Sequence, residues 1–114
     1  MSDRDLVLLE DIINFIDKIL EDTDGLNLDA FAADSMRVDA VVRNLEIIGE
    51  AAKMVSSNAK LELPGIDWKG MAGMRDRLIH AYRTDDDLLV WKTAKERLPQ
   101  IKGLILSQYS ELLV

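Results

Sequence analysis

The sequence predicts an all-α fold, an up-and-down bundle of four to five helices forming a single domain over residues 1–114. Apolar residues recur at intervals of three and four in several separate segments, which is typical of amphipathic helices. No alternating run bounded by turn residues predicts a β-strand. Most connections between the segments are short, which favours antiparallel neighbours.

The first helix is predicted from Asp3 to about Leu20. Its apolar positions have helical spacing: Leu6, Leu9, Ile13, Ile16 and Leu20. Asp3 and Asp5 lie where negative charge complements the helix dipole. The turn residues Gly25 and Asn27 end this helix, and a short helical turn is predicted over Leu28 to Ala33.

A second long helix is predicted from about Ser35 to Ser57, with Asp34 or Ser35 as its N-cap. One apolar stripe runs along it: Val41, Leu45, Ile48, Ala52 and Val55. Four further residues widen the stripe to more than half of the circumference: Ala40, Ile47, Ala51 and Met54. So broad a stripe indicates burial on two sides, either within a four-helix bundle or against a second copy of the protein.

The stretch NAKLELPGIDW, residues 58–68, is predicted to be a loop because Pro64-Gly65 is a strong turn signal. Asp67 is the expected cap of a third long helix from Trp68 to about Tyr82. Thr84 and Asp87 have capping-box spacing.

A fourth long helix is therefore predicted from Asp85 to about Leu112. Pro99 lies inside this pattern and cannot donate a backbone hydrogen bond, so a kink or break is expected near Leu98.

The composition indicates a soluble globular protein, with 48% apolar and 31% charged residues. No cysteine is present, which excludes disulfides, thiolate metal sites and cysteine nucleophiles. The acidic residues near the start do not resemble a signal peptide, and no apolar run approaches the roughly 20 residues of a membrane span. The expected location is the cytoplasm, without membrane association.

Positive charge is concentrated in one segment of an acidic chain. The formal net charge is −7, whereas Lys69, Arg75, Arg77 and Arg83 against Asp76 give a local balance of +3 and leave −10 elsewhere. The average field opposes indiscriminate binding to nucleic acid. A cluster this small is usually a solvated helix face, so the charge alone does not assign a function.

His80 is the only histidine, and histidine is the side-chain type that exchanges protons near neutral pH. On a straight helix Arg75 and Tyr82 lie within about 20° of each other, while His80 lies roughly 140° from Arg75. Two copies of the helix meeting across a two-fold axis would bring an arginine and a histidine into one cleft. Arginine binds phosphate and histidine moves a proton at a ribose hydroxyl, a combination that fits metal-independent RNA cleavage.

Other chemistries find little support in the sequence. No His and Glu pairs have zinc-site spacing, and neither a phosphate-binding GxxxxGK[ST] loop nor a GxSxG elbow occurs. The acidic runs EDTD and TDDD lie at predicted helix ends, where capping and solvation explain them. Neither a metal site nor a cofactor is expected.

The motif from Arg75 to Tyr82, RDRLIHAY, resembles the motif of HepT-like toxins in the HEPN superfamily, in which four residues separate arginine from histidine and one separates histidine from tyrosine. The segments RVDAVVRNLEIIGEAAK, residues 37–53, and LPGIDWKGMAGMRDRLIHAYRTDD, residues 63–86, also resemble that family and occur in the expected order. The resemblance covers most of the chain and implies a HEPN-like bundle.

The resemblance further implies a homodimeric ribonuclease toxin of a type VII-like toxin–antitoxin pair, with Arg75 and His80 as catalytic residues and Asp76 supporting them. The implied partner is a small MntA-like nucleotidyltransferase of MNT type, which in some relatives transfers AMP to the motif tyrosine, here Tyr82. The remaining cations of the cluster are candidates for RNA binding: Lys69, Arg77 and Arg83.

Two alternatives stay open at this stage. The chain could instead be a non-catalytic accessory or substrate-binding subunit of a nucleotidyltransferase, and replacing His80 by alanine distinguishes the two functions. The polar residues that interrupt the second long helix could hold the active helix or form its solvated edge: Arg43, Asn44, Glu46 and Glu50.

Overall fold

The computed structural model describes residues 1–109, and every regular element within them is helical. The elements are α1 (Asp3–Thr23), α2 (Leu28–Ala33), α3 (Ser35–Met54), α4 (Ser57–Glu62), α5 (Trp68–Arg83), α6 (Asp87–Lys92), a π-helical segment (Thr93–Arg97) and α7 (Leu98–Tyr109). The last three follow one another without a gap and act as a fourth long helix. The predicted all-α bundle is therefore confirmed, while the predicted end of the last helix at Leu112 lies outside the described residues.

Helix α3 lies at the centre of the bundle and packs against α1 and α5. Each of the three helices contributes fully buried apolar side chains: Leu9, Ile12 and Ile16 from α1, Leu45 and Ile48 from α3, Met71 and Leu78 from α5. Burial of this surface is the main force that holds the helices together. The two-sided burial predicted for α3 is present, but Met54, at the outer edge of its apolar stripe, remains 52% exposed.

The predicted caps of α3 and α5 are confirmed. The side chain of Asp34 accepts a hydrogen bond from the Arg37 amide at 3.1 Å, and that of Asp67 accepts one from the Gly70 amide at 2.9 Å. Each carboxylate satisfies an amide that has no partner within its helix. These two caps set the beginnings of the helices that carry the candidate site.

The capping box predicted for Thr84 and Asp87 is wrong. The cap of α6 is Asp86, whose side chain accepts from the Leu89 amide at 3.1 Å, and the helix begins at Asp87. The Thr84 hydroxyl instead donates to the carbonyl of His80 at 2.9 Å and closes the end of α5. Asp85 then has φ of 56°, so the chain turns sharply before α6 begins.

The loop predicted over residues 58–68 contains the short helix α4, and α3 ends at Met54 rather than Ser57. A long-range contact explains both differences. The carboxylate of Asp5, in the first turn of α1, accepts hydrogen bonds from the Ser56 amide at 2.9 Å and the Ser56 hydroxyl at 2.7 Å. Because Ser56 also caps α4, the start of this helix depends on a residue 51 positions away.

Replacing Asp5 by asparagine is expected to lower the thermal unfolding midpoint by roughly 5–10 °C, because a buried acceptor of charge-assisted hydrogen bonds is lost. Asp5 is only 3% exposed and also accepts from the amide and hydroxyl of Ser2. Differential scanning calorimetry measures the change. Asp3→Asn, in the same turn but exposed, is the matched control and should leave the midpoint nearly unchanged. Equal midpoints for the two variants would contradict the structural role of Asp5.

The same carboxylate makes stability depend on pH. Hydrogen bonds from the amide and hydroxyl of Ser56 lower the pKa of Asp5 well below its usual value. Its contribution is therefore complete above the unfolded-state pKa of about 3.9 and is lost as the pH falls towards the folded-state pKa. As the pH falls from about 5 to about 2, the unfolding midpoint of Asp5→Asn should decrease less steeply than that of the wild type.

The sequence predicted a kink or break near Leu98, but the last helix is not broken there, because a π-helical segment precedes Pro99. The Leu98 amide donates to the carbonyl of Thr93, five residues back, instead of the usual four. This wider turn relieves the local conflict between a proline ring and the carbonyl four residues before it. Leu98 and Ile105 remain buried, so α7 continues along the core.

Candidate functional site

Apart from Lys69 in its first turn, the candidate site residues lie between the middle and the end of α5, from Arg75 to Arg83. The core fixes the rotation of this helix through five buried residues: Trp68, Met71, Met74, Leu78 and Ala81. Its last turn is closed by Thr84, whose amide donates to the carbonyl of His80 at 3.1 Å. The backbone that carries the motif is therefore held in place, while several of its polar side chains reach the surface.

Arg75 lies at the edge of α5 that faces α3. Its Nε atom lies 3.3 Å from Oε1 of Glu50 but makes no hydrogen bond. Both side chains are partly exposed, at 42% and 60%, so this ion pair orients the guanidinium more than it stabilises the fold. Among the described residues, no hydrogen bond engages the two terminal nitrogens of Arg75. They are available to bind the two oxygens of a phosphate group.

A surface groove of about 250 Å³ surrounds this ion pair. Its lining comes from both helices: Gly49, Glu50, Lys53 and Met54 from α3, Ala72 and Arg75 from α5. Lys53 adds a second cation to the groove, while Glu50 adds an anion. The Glu50 side chain, whose role the sequence left open, thus contacts the candidate catalytic arginine, whereas Arg43 pairs along α3 with Glu46 at 3.8 Å.

Gly49 allows α3 and α5 to approach closely at this groove. A Cβ atom at position 49 would lie 3.2 Å from Cβ of Arg75 and 3.2 Å from the carbonyl oxygen of Met71. One of these atoms belongs to the backbone of α5 and cannot move independently of the helix. The glycine therefore sets the distance between Glu50 and Arg75.

Replacing Gly49 by valine is expected to lower the free energy of unfolding by about 2 kcal/mol, because the added methyl groups push α5 away from α3. Gly73→Val is the matched control on α5, since a Cβ atom there meets nothing within 4 Å. The control should change stability by less than about 0.5 kcal/mol, because valine and glycine differ little in helix propensity. Urea denaturation compares the two variants, and a loss of stability confined to Gly73→Val would contradict the close approach.

His80 is exposed on the outward face of α5. On a helical wheel it lies near Lys69, Asp76 and Arg83, which are also exposed. No hydrogen bond or ion pair joins the imidazole to another side chain among residues 1–109. A single chain therefore presents the histidine to solvent but does not bring it to the guanidinium of Arg75.

Tyr82 borders a second groove between α3 and α5, of about 350 Å³, and is 45% exposed. The Asp39 carboxylate lies within hydrogen-bonding reach of its hydroxyl, and this contact raises the pKa of Tyr82. The negative charges of Asp39 and Asp85 and partial burial act in the same direction. Arg83 lines the same groove, so a cation lies beside the phenol.

Arg77 lies on the other side of α5, away from both grooves. It donates to the carbonyl of Gly70 at 3.2 Å and lines a groove of about 270 Å³ together with Arg97 of the π-helical segment. Of the predicted RNA-binding residues, Lys69 lies nearest to His80 on the helical wheel, while Arg83 and Arg77 each lie about 60° from it. Arg83 lies on the side of the Tyr82 groove, and Arg77 lies on the side of the groove that it shares with Arg97. In the structure Arg75 lies beside Glu50, and Tyr82 lines the same groove as Arg83.

Asp39 was not among the residues that the sequence indicated. Its partner becomes apparent only from the antiparallel packing of α3 and α5, which sets the start of α3 against the end of α5. Once that packing is known, a carboxylate one turn into α3 is the natural neighbour of the motif tyrosine. The acidic side chains of α3 also offset part of the positive charge on α5.

Two further properties concern residues 1–109 only. No group of three or more His, Asp or Glu side chains in this part of the chain could hold a metal ion. None of its helices combines the length and the apolar character needed to cross a lipid bilayer.

Comparisons with known proteins agree with the geometry. A family model described as "Ribonuclease HepT-like" matches residues 10–107. "Probable ribonuclease HepT" of Thermococcus cleftensis is 46% identical over 95 residues, which cover 83% of this chain and 86% of that protein. A Methanocaldococcus jannaschii protein whose name marks it as a proposed RNase is 41% identical over 103 residues, 90% of this chain and 89% of its own length. No solved structure matches the chain.

Proposed function

The chain belongs to the HepT-like ribonuclease family, and from this premise we propose that it is a metal-independent endoribonuclease toxin with Arg75 and His80 as its catalytic pair. One observation carries the proposal. No hydrogen bond within residues 1–109 engages the two terminal nitrogens of the motif arginine, which lies beside an open groove, while the only histidine is exposed on the same helix. Asp76, exposed next to Arg75, supports the pair in this scheme.

In the proposed reaction the 2′-oxygen of the RNA attacks the adjacent phosphorus, and the bond from phosphorus to the 5′-oxygen of the next nucleotide breaks. Arg75 holds the non-bridging oxygens, on which negative charge increases in the transition state. His80 transfers the proton, either from the 2′-hydroxyl or to the departing 5′-oxygen. Lys69 and Arg83, exposed on the same face of α5, hold neighbouring phosphates of the chain.

A homodimer would complete the site. Arg75 and His80 lie roughly 140° apart around α5, so one chain does not bring both to the same phosphate. Along the outer edge of α3, Met36 is 83% exposed and Met54, which lines the Arg75 groove, is 52% exposed. These methionines, with the exposed Ala40 and the half-buried Ile47, share an edge of α3 with the charged Arg43 and Glu50, and their exposed apolar surface would pack against a second copy. The dimer would thereby form next to the Arg75 groove.

The proposed inhibitor is an MNT-type nucleotidyltransferase antitoxin that transfers AMP from ATP to Tyr82. The phenol is accessible, at 45% exposure, and borders an open groove. AMP on this residue would add a phosphate charge and the bulk of a nucleoside on the same side of α5 as Arg75, which would exclude RNA. An RNA substrate and such a partner imply that the pair acts in the cytoplasm.

The separation of Arg75 from His80 within one chain also favours a second candidate, a non-catalytic accessory or substrate-binding subunit of a nucleotidyltransferase. This function needs an exposed phosphate-binding arginine but no proton transfer. It predicts partner binding without any RNA cleavage.

The test of the proposed function is incubation of the purified protein with labelled RNA in the presence of EDTA. Products ending in a 2′,3′-cyclic phosphate and a 5′-hydroxyl are expected, because the RNA supplies its own nucleophile. Induced expression in a bacterial host should arrest growth in parallel. Intact RNA at enzyme excess and unaffected growth would contradict the nuclease and favour the accessory subunit.

A further inference from the structure

We propose that Asp39 is the proton acceptor for Tyr82 when the phenol oxygen attacks the α-phosphorus of a nucleoside triphosphate, and that Arg83 binds the phosphate group that Tyr82 then carries. This inference rests on the proposed modification of Tyr82. The toxin itself would thus provide, from α3, a catalytic residue for the AMP transfer that inactivates it.

The placement of the two side chains supports a role in chemistry. Asp39 near the beginning of α3 and Tyr82 in the last turn of α5 line one open groove, with the carboxylate at the phenol hydroxyl. A buried tyrosine needs such a partner to satisfy its hydroxyl. Tyr82 is 45% exposed, and water could satisfy it. The contact is therefore not required by burial.

The charges around the phenol explain why a base is needed. The groove carries four charged side chains besides the tyrosine: Asp39 from α3, Arg83 from the end of α5, Asp85 from the turn and Asp87 from α6. A phenol of ordinary pKa, about 10, is already protonated near neutral pH, and hydrogen bonding to Asp39, together with the acidic surroundings, raises the pKa of Tyr82 further. A protonated phenol is a weak nucleophile unless a positioned base removes its proton during the attack.

In the proposed step the phenol oxygen forms a bond to the α-phosphorus, and the bond from that phosphorus to the bridging oxygen of the β-phosphate breaks. Pyrophosphate leaves, and the phenol proton passes to the Asp39 carboxylate. The nucleoside triphosphate and its Mg²⁺ come with the nucleotidyltransferase. The product is a phosphodiester on Tyr82, whose negative charge lies beside the guanidinium of Arg83.

The first test needs no partner. In a Tyr109→Phe background Tyr82 is the only tyrosine, so ultraviolet absorbance reports its ionisation alone. Asp39→Asn removes the negative charge and the acceptor, and the titration midpoint of the phenol should shift to lower pH. An unchanged midpoint would overturn the placement of Asp39 at the hydroxyl.

The second test measures AMP transfer by intact-protein mass spectrometry, with ATP, Mg²⁺ and a purified MNT-type nucleotidyltransferase. Asp39→Asn should slow the transfer near pH 7 by about 10²-fold or more, and its rate should rise with pH as phenolate forms without the base. Asp85→Asn is the matched control in the same groove and should stay within about twofold of the wild type. Asparagine also tolerates the positive φ of this position.

The outcomes separate the inference from the proposed function. Equal rates and equal pH profiles for Asp39→Asn and the wild type would overturn the role of Asp39 while the modification stands. Absence of AMP on the wild-type chain would overturn the modification itself, and with it the proton transfer. Thermal unfolding of each variant verifies that the exposed substitutions leave the fold intact.

Discussion

Replacing His80 by alanine is expected to lower RNA cleavage by about 10²–10⁴-fold, the usual contribution of a group that transfers a proton in the transition state. The side chain is exposed, so the unfolding midpoint should stay close to that of the wild type. Single-turnover cleavage of a labelled RNA measures the rate. Added imidazole should restore part of the activity, which a purely structural histidine would not allow.

The matched control for this variant is Gln100→Ala, an exposed substitution on α7 away from the motif, which should cleave at the wild-type rate. A His80→Ala protein as active as this control would contradict the catalytic role of the histidine. If wild-type and variant proteins both fail to cleave RNA but bind a nucleotidyltransferase equally well, the accessory function gains support.

Much of the fold follows from local signals in the sequence. The three- and four-residue spacing of apolar residues predicts α1, α3 and α5, and carboxylates at Asp34 and Asp67 indicate where two of these helices begin. Such caps act over three residues, so they need no knowledge of the tertiary structure.

The structure differs from the prediction where a tertiary contact or a second local hydrogen-bonding pattern competes with the expected one. The start of α4 depends on the buried carboxylate of Asp5, which comes from α1 and cannot be paired with Ser56 by sequence spacing. At the end of α5, Thr84 had two possible partners of similar quality, and closing α5 prevailed over capping the next helix. The proline in the last helix was accommodated by a π-helical turn, a conformation without a distinctive local pattern.

The residues of the candidate site likewise fall into two groups: those that the motif indicates and those that depend on tertiary packing. Resemblance to the family motif indicates Arg75, His80 and Tyr82, which share one helix. Their acidic partners come from α3 and depend on the register between the two helices, which Gly49 helps to set. Glu50 and Asp39 therefore required the structure, although both lie in a segment that the resemblance covers.

The acidic partners on α3 also limit the distance over which the positive charge on α5 acts. Glu50 pairs with Arg75, and Asp39 and Asp85 line the same groove as Arg83, so acidic side chains lie among these cations and divide the positive charge. A surface of this kind attracts phosphate only over a short range. Binding of RNA should depend on few phosphate contacts and fall only moderately with added salt.

A mixture of two inactive variants shows whether both protomers contribute to one site. Arg75→Ala and His80→Ala proteins are each expected to be inactive, yet a mixture of the two, allowed to exchange subunits, should recover about a quarter of the wild-type rate. If each site takes its arginine from one protomer and its histidine from the other, a mixed dimer has one site with both residues and one with neither. At equal concentrations half of the dimers are mixed, and each mixed dimer has one active site of its two. The expected rate is therefore about a quarter of the wild-type rate.

The recovery distinguishes a shared site from a site within one chain, because a mixed dimer with separate sites would have one defect in each and remain inactive. A double variant, Arg75→Ala with His80→Ala, mixed with wild-type protein is the matched control. In this control mixture, sites formed by both protomers have one defect each in every mixed dimer. Only the wild-type dimers therefore stay active. No recovery in the first mixture, with subunit exchange verified by mass spectrometry, would mean that α5 must bend or that Arg75 must leave Glu50 for one chain to act alone.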